Sequence, residues 1–292
     1  MQQRYPTRER PLSARDYDLP VGWWGWNWDP PVPLSVTEIL AAGNMDTRTA
    51  ALCWLALERH GSLLIAAEQP HSGKTTTLTA FLDFLPNKTR RVFVRGWSET
   101  FDYLRHTDPK ETLLLANELS SHLPVYLWGP KAVRVFRTLR RGYAIGSTLH
   151  ADTAEEAVEQ LVGDLGVDPA DLARVHLLMV MRIFAAPGRG IARRVISLHR
   201  IGAADARAAV RPLVTRDDAT DRWEHDRTAE ANLLVELCGG EAESAERELE
   251  RRDTFLEQLV RARSWAIPQT RAALAGFRGE TVPHFMRGDP TE

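Results

Sequence analysis

Lysine is scarce in this sequence, and only Lys74, Lys88, Lys110 and Lys131 occur among its 37 basic residues. The 39 acidic residues bring the formal net charge to −2 at pH 7, so no global field draws the chain toward nucleic acid or an anionic membrane. No basic stripe with interleaved aromatic residues stands out either, which leaves no strong signal for nucleic-acid binding. Because arginine supplies nearly all the basic charge, a lysine inside a glycine-containing loop is more informative than usual.

Cysteine and long apolar runs are also scarce. The cysteines are Cys53 and Cys238, far apart in the sequence, so we expect free thiols in a reducing cytoplasm. Residues 1–11 are polar and arginine-rich and contain no apolar core of a signal peptide. No uninterrupted run of about 18 apolar residues occurs, so we expect no transmembrane segment and a cytoplasmic location.

Tryptophan, by contrast, is concentrated near the N-terminus. Four of the nine tryptophans lie between Trp23 and Trp28, after a polar segment with several prolines. Two hypotheses stay open for this cluster. Its side chains anchor an N-terminal arm onto the rest of the chain, or they form a patch that faces a partner. We treat residues 1–33 as an N-terminal arm or linker.

From residue 34 onward, short apolar runs alternate with helical patterns in a chain of 292 residues that is 43% hydrophobic and 26% charged. Such alternation predicts an α/β fold in which helices flank a mostly parallel sheet. We assign residues 34–202 to this core. The expected strands are 63–67, 91–94, 112–116, 144–149, 175–184 and 194–201, and the expected helices are 47–58, 75–85, 131–141 and one that begins near residue 152.

Residues 203–292 differ in character from the core. The segment 203–226 is charged and shows no regular period. A helical pattern begins at Thr228, with Leu249 and Leu256 on one face of a long charged helix. We therefore expect a small, mainly helical C-terminal region that packs against the core.

The segment Ser72–Thr76 lies directly between a predicted strand and a predicted helix, the position of a phosphate-binding loop. Gly73 allows close approach of the backbone, and backbone N–H groups at the start of a helix point toward an anion. Lys74 places a point charge on the terminal phosphates, and the Thr75 hydroxyl is a ligand for Mg²⁺. The predicted nucleotide-binding residues are Ser72, Gly73, Lys74, Thr75 and Thr76, with Thr75 also the predicted metal ligand.

The complete phosphate-loop pattern has glycine at the position that Glu68 occupies here. A Glu68 carboxylate directed at the phosphates would weaken their binding, whereas one directed away would not. The alternative to a binding site is an ordinary strand–helix turn that contains Gly-Lys-Thr by chance.

Three segments together resemble motifs of the motor ATPases of type II and type IV secretion and pilus systems, whose core is RecA-like. Ser72–Leu78 resembles their phosphate loop, which often ends in threonines before leucine. Leu113–Leu119 resembles their second acidic motif, an apolar strand that ends in Gly-Glu, and Asp108-Pro109 stands where the family has Asp-Pro. Gly142–Asp152 resembles the histidine box, in which a strand ends in Ser-Thr-Leu-His-Ala. Order and rough spacing agree over residues 34–200.

Several positions depart from the family pattern, and these departures bear on turnover more than on the fold. The family's usual N-terminal domain is missing or reduced to the tryptophan arm. The replacements are Glu68 and His71 for loop glycines, Asn117 for the glycine before the acid, Ser120 and Ser121 for Arg-Asp, and Tyr143 for the first histidine of the histidine box.

The resemblance implies an ATP- and Mg²⁺-dependent motor of a secretion, pilus or conjugation apparatus. In such a site Glu118 would orient the attacking water and His150 would sense the γ-phosphate or the metal, so both are predicted catalytic residues. The resemblance also implies a homo-oligomer, a hexameric ring. This ring would work with a membrane platform or other secretion-apparatus proteins at the inner face of the cell membrane, and an arginine of a neighbouring subunit would complete each site.

Simpler interpretations stay open for individual residues and for the whole chain. Glu118 could cap a strand-to-helix connection, and His150 could be a satisfied histidine at a strand end. Glu99, Asp102 and Asp108 are candidate acids at the edge of the site or members of a solvated face. The alternative to a working motor is a catalytically degenerate nucleotide-binding or scaffold protein derived from the same family.

Overall fold

The computed structural model describes residues 12–21, 33–186, 190–204 and 207–281. Trp23–Trp28 lies outside these ranges, so both hypotheses for the tryptophan cluster stay predictions. Within the described ranges, no helix combines the length and the apolar character needed to cross a membrane.

The strands are β1 (Leu63–Ala66), β2 (Arg90–Phe93), β3 (Thr112–Leu115), β4 (Ala144–Leu149), β5 (Leu177–Ala186), β6 (Gly190–Ala204), β7 (Arg207–Asp217) and β8 (Arg222–His225). The α-helices are α1 (Val36–Ala41), α2 (Thr47–Glu58), α3 (Lys74–Phe81), α4 (Gly129–Thr138), α5 (Ala154–Glu159), α6 (Pro169–Leu172), α7 (Arg227–Cys238), α8 (Ala242–Arg261) and α9 (Ile267–Phe277).

The described strands form one eight-stranded sheet in the order β2-β3-β4-β1-β5-β6-β7-β8. The strands from β2 to β5 in this order are parallel to one another. The remaining three strands extend the sheet in antiparallel fashion. The predicted α/β fold with a mostly parallel, helix-flanked sheet is confirmed, and the antiparallel strands β6, β7 and β8 widen it on one side.

Strand β1 contributes side chains to two hydrophobic cores, one on each face of the sheet. Leu63 and Ile65 belong to the core that contains α1, α2, α3 and the C-terminal helices α7, α8 and α9. Leu64 and Ala66 belong to the core on the opposite face, which contains α4, α5 and α6. Successive side chains of a strand point to opposite faces, so a strand apolar at every position is covered on both sides.

Helix α2 lies between the sheet and α8 and is buried almost all round. Asp46 caps its first turn by accepting the Thr49 N–H at 2.8 Å. Trp54, in the middle of α2, is fully buried and stacks on Phe84 with ring centroids 5.3 Å apart. The C-terminal helices therefore complete the same core that supports α3.

Residues 203–226, which show no regular period in the sequence, contain strands β7 and β8, so the region expected to be mainly helical begins with strands. Strand β6 also runs on to Ala204, so the expected division between residues 202 and 203 falls inside a strand. Leu213 and Val214 are the buried residues of β7, and its apolar residues are grouped at 208–210 and 213–214 instead of alternating with polar ones, so the sequence shows no clear period of two. The strand forms because its backbone pairs along β6, and helices follow only from Arg227.

Candidate functional site

Three of the predicted site residues lie at one edge of the sheet. Strands β3, β4 and β1 are parallel neighbours, and the carboxyl ends of parallel strands meet at the same edge. Lys74 begins α3 after the loop that leaves β1, Glu118 follows β3, and His150 directly follows β4. The strand order thus brings together residues that are separated by 44 and 32 positions in the sequence.

The loop between β1 and α3 has backbone angles that suit a phosphate-binding loop. Gly73 has φ +91° and His71 has φ +59°, both in the left-handed region where glycine is favoured. The Thr77 N–H donates to the Gly73 carbonyl at 2.8 Å, so the first turn of α3 is closed at this point. The preceding N–H groups of the helix have no partner within it, and Thr75 and Thr76 are partly exposed beside them.

The Lys74 ammonium lies inside this loop. Its Nζ donates to the Ala67 carbonyl at 2.5 Å, and the residue is 7% exposed. Burial lowers the pKa of Lys74, while the nearby Glu118 and Glu68 carboxylates act in the opposite direction. A bound anion would add to that opposing effect and hold the ammonium in its charged form. Lys74 therefore places a largely buried ammonium within the loop between β1 and α3, and its predicted contact with phosphate stays a prediction.

Glu118 and His150 face each other across neighbouring strand ends. The Glu118 Oε1 atom lies 3.4 Å from His150 Nε2, and the other ring nitrogen, Nδ1, lies 3.1 Å from the Glu68 carbonyl oxygen. The nearby Glu118 carboxylate is the main cause that raises the pKa of His150, and burial and Lys74 oppose it. Since both ring nitrogens face oxygen acceptors, the doubly protonated imidazolium satisfies both contacts.

Glu68 is the residue that least resembles a phosphate loop, and its carboxylate stays close to the site. The Glu68 Oε2 atom lies 4.0 Å from His150 Nδ1, and the Glu68 side chain is 56% exposed. A phosphate bound at Lys74 would therefore meet this carboxylate at the rim of the site. Half-exposure lets water screen part of that repulsion.

Other candidates from the sequence lie outside the site. Tyr143, which replaces a histidine of the family pattern, is a buried core residue. Asp108 is exposed and caps the turn before β3, at the opposite edge of the sheet. The interpretation as a solvated face is wrong for Glu99 and Asp102, which are 2% and 8% exposed. Glu99 accepts a hydrogen bond from the Tyr17 hydroxyl at 2.7 Å, so it anchors the segment 12–21.

Arg193, which was not predicted from the sequence, contacts the loop between β1 and α3 from β6. Its Nε donates to the His71 carbonyl at 2.7 Å. The two residues are 122 positions apart, and in an arginine-rich chain no local signal marks this arginine. The sequence analysis also missed His122, whose ring centroid lies 6.1 Å from that of His150.

The residues at this edge fit a nucleotide and Mg²⁺ in part. Lys74 supplies a cation, and the first turn of α3, which follows the left-handed Gly73, supplies N–H groups. In the described part of the chain, no group of three or more His, Cys, Asp or Glu residues is arranged to hold a metal ion. Magnesium would therefore depend on the Thr75 hydroxyl and on the phosphates themselves.

Comparison with known proteins gives two distant relatives in the archaeon Methanocaldococcus jannaschii. The uncharacterized protein MJ0900 is 30% identical over 216 residues, which are 67% of this chain and 38% of MJ0900. The uncharacterized protein MJ1287 is 24% identical over 159 residues, which are 48% of this chain and 57% of MJ1287. The chain thus spans less than two thirds of either relative. No family model matches the sequence.

Among solved structures, the chain is similar to two ATPases at low identity. One is the Legionella pneumophila ATPase DotB, at 12% identity over 78% of this chain and 59% of that one, with a TM-score of 0.31. The other is the VirB11 ATPase of the Brucella suis type IV secretion system, solved in complex with sulphate, at 17% identity over 67% of this chain and 66% of that one, with a TM-score of 0.38. Both TM-scores are below 0.5, so the fold assignment rests on the chain's own topology. The strands in the order β5-β1-β4-β3-β2 are parallel, and the glycine–lysine loop lies between β1 and α3, which is the mostly parallel α/β arrangement expected from the sequence.

Proposed function

We propose that this chain binds ATP with Mg²⁺ at the loop between β1 and α3, and that it hydrolyses ATP as a divergent member of the type II and type IV secretion and pilus motor ATPase family. The observation that carries the proposal is the buried Lys74 ammonium in a loop with left-handed Gly73. The Glu118–His150 pair stands at the ends of adjacent strands beside it.

Each residue has a definite task in this proposal. Lys74 neutralises the β- and γ-phosphates, and the N–H groups of Gly73 to Thr76 hold the phosphate oxygens. The Thr75 hydroxyl contacts Mg²⁺, which supplies charge neutralisation when bound. The Glu118 carboxylate orients the attacking water and accepts its proton, and His150 senses the γ-phosphate or the metal.

A specific observation favours the second candidate, a nucleotide-binding or scaffold protein without turnover. Glu118 already faces His150 at 3.4 Å, and the Glu68 carboxylate adds negative charge beside the phosphates. A Glu118 side chain that stays in contact with His150 would be less available to orient the attacking water. In this alternative the chain holds a nucleotide and acts through contacts with other proteins.

The deciding experiment measures magnesium-dependent ATP binding by calorimetry and hydrolysis by phosphate release. Lys74→Ala should abolish both and leave the fold intact, because it removes the charge on the phosphates. Lys88→Ala is the matched control, since Lys88 is 73% exposed and paired with Glu111 at the surface. Unchanged ATP affinity in Lys74→Ala would contradict the assigned site.

Glu118→Gln separates the two candidates. If Glu118 serves as the base, the variant binds ATP and loses hydrolysis by about 10²- to 10⁴-fold, as removal of a general base does. Wild-type protein that binds ATP without measurable phosphate release would establish the scaffold alternative. Wild-type protein that binds no ATP would contradict both.

The assembly follows from the same proposal. We propose a homo-oligomeric ring, hexameric as the family resemblance implies, that contacts a membrane platform or other apparatus proteins at the inner face of the cell membrane. Light scattering with and without Mg-ATP measures the mass of the assembly. A monomer at all concentrations, with and without nucleotide, would contradict the ring.

A further inference from the structure

In the loop between β1 and α3, His71 occupies a position whose backbone conformation favours glycine. His71 has φ +59°, a left-handed conformation that side chains other than glycine adopt at a cost. Its side chain is exposed, so the side chain gains little packing that could offset this cost. Other contacts must therefore keep the loop in the shape in which Gly73 and Lys74 face the same space.

Two contacts from the β5–β6 pair hold the loop at the required points. Arg193 Nε donates to the His71 carbonyl at 2.7 Å. The backbone N–H of Ile183 donates to Gln69 Oε1 at 2.9 Å. Ile183 and Arg193 are direct partners across the two strands. One pair of neighbouring residues in the sheet therefore contacts the loop at both Gln69 and His71.

Arg193 also packs directly against the glycine of the loop. A Cβ atom on Gly73 would lie 3.2 Å from Arg193 Cδ, closer than nine in ten real Cβ contacts. The aliphatic part of Arg193 therefore covers one side of Gly73, and its guanidinium places positive charge beside the carbonyl of His71. The neighbouring Arg194 is directed elsewhere, since it pairs with Asp221 at 3.1 Å.

We propose that Arg193 is the positioning residue of the phosphate loop, which holds His71 in the left-handed conformation and so keeps the loop formed before any ligand binds. The consequence for ligand affinity rests on the proposed nucleotide binding, whereas the effect on the loop itself does not. This role belongs to the chain's own β6, independent of any arginine that a neighbouring subunit contributes. It compensates for the backbone cost of His71, which stands where the family pattern has a glycine.

The Thr77 amide is a natural reporter for this proposal. Its N–H donates to the Gly73 carbonyl, so opening of the loop frees it for hydrogen exchange. The first-turn amide of α5, Ala157, donates to the Thr153 carbonyl in the same manner and lies in a different helix. Exchange at Thr77 relative to Ala157, measured by NMR on the full chain without nucleotide, isolates local opening from global unfolding.

Arg193→Ala should speed exchange of the Thr77 amide by about tenfold, the effect of losing one charge-assisted hydrogen bond, and leave Ala157 unchanged. Adding His71→Gly should restore most of the lost protection, because glycine adopts the left-handed conformation without the steric cost. Arg194→Ala, the matched control, should leave Thr77 exchange as in the wild type. Arg193→Lys should give an intermediate rate, since it keeps the charge and loses the Nε geometry.

The second measurement is affinity for Mg-ATP. Arg193→Ala should raise the dissociation constant by a similar factor of about ten, with the midpoint of global unfolding little changed. Unchanged Thr77 exchange in Arg193→Ala, or an equal effect of Arg194→Ala, would overturn the positioning role. If the wild type binds no ATP while the exchange results are as expected, the proposed function fails and the role of Arg193 in the loop stands.

Discussion

His225 on β8 joins the C-terminal helices to α2 through a buried ionic network. Its Nε2 lies 2.8 Å from the Asp46 carboxylate and its Nδ1 lies 2.5 Å from the Glu230 carboxylate. Glu230 also accepts Arg48 of α2 at 2.6 Å, and Arg227 lies 3.7 Å away. Burial by itself lowers the pKa of His225, but the hydrogen bonds with Asp46 and Glu230 prevail and raise it from 6.5 to about 9. His225 is therefore charged at neutral pH.

This pKa shift predicts how stability depends on pH. A rise from 6.5 to about 9 corresponds to roughly 3 kcal/mol of unfolding free energy. Because the folded-state pKa is the higher one, this contribution is complete below about pH 6.5 and is lost as pH rises through 9. The pKa values of Asp46 and Glu230 are lowered because the hydrogen bonds with His225 outweigh the effect of burial. The contribution of these carboxylates is therefore lost in acid instead.

Urea unfolding at about pH 6 and about pH 9.5 tests the prediction. We expect the wild type to lose roughly 3 kcal/mol between these two pH values and His225→Gln to lose much less, although this variant is less stable at the lower pH. His106→Gln is the control, because His106 is exposed. Equal pH dependence in the wild type and in His225→Gln would refute the assignment of the charge to this network.

Three further substitutions test the loop, the N-terminal segment and the core. Gly73→Ala should cost about 1–2 kcal/mol and weaken ATP binding, because φ is +91° and the added Cβ meets Arg193; calorimetry showing unchanged affinity would contradict it. Tyr17→Phe should destabilise the chain by about 1–3 kcal/mol, since the buried Glu99 carboxylate loses a hydroxyl donor, and chemical denaturation measures the loss. Leu256→Ala in α8 should cost about 2–5 kcal/mol, because this residue is fully buried in the core that supports α3. A loss of helix signal at α8 without a shift of the main unfolding transition would show that α8 is a separate unit.

The elements that could be predicted from the sequence are those whose signal is local. The predicted strand 144–149 has the same bounds as β4, because this short run without charged residues is bounded by Gly142 on one side and by a polar turn on the other. The loop that ends in Gly73 and Lys74 was identifiable because its chemistry lies in consecutive residues between a strand and a helix. For the same reason Lys74 lies where the sequence analysis expected it, at the start of α3.

The segment that the sequence analysis misjudged has no such local signal. Strand β7 buries only Leu213 and Val214, and its apolar residues occur in consecutive groups, so the sequence shows no alternation of apolar and polar residues. The strand exists because β6 offers unpaired backbone groups along its edge. Backbone pairing of this kind leaves little trace in the side chains.

The sequence by itself thus determined the α/β class, the phosphate-type loop and the residues at the ends of individual strands. The tertiary structure alone decided which of these residues meet: the Glu118–His150 pair, the hold of Arg193 on the loop, and the network around His225. The physical reason is that propensity and period act within one element, whereas these contacts depend on strand order and packing. Residues more than a hundred positions apart become neighbours only when β6 lies beside β5 and the C-terminal helices close over α2.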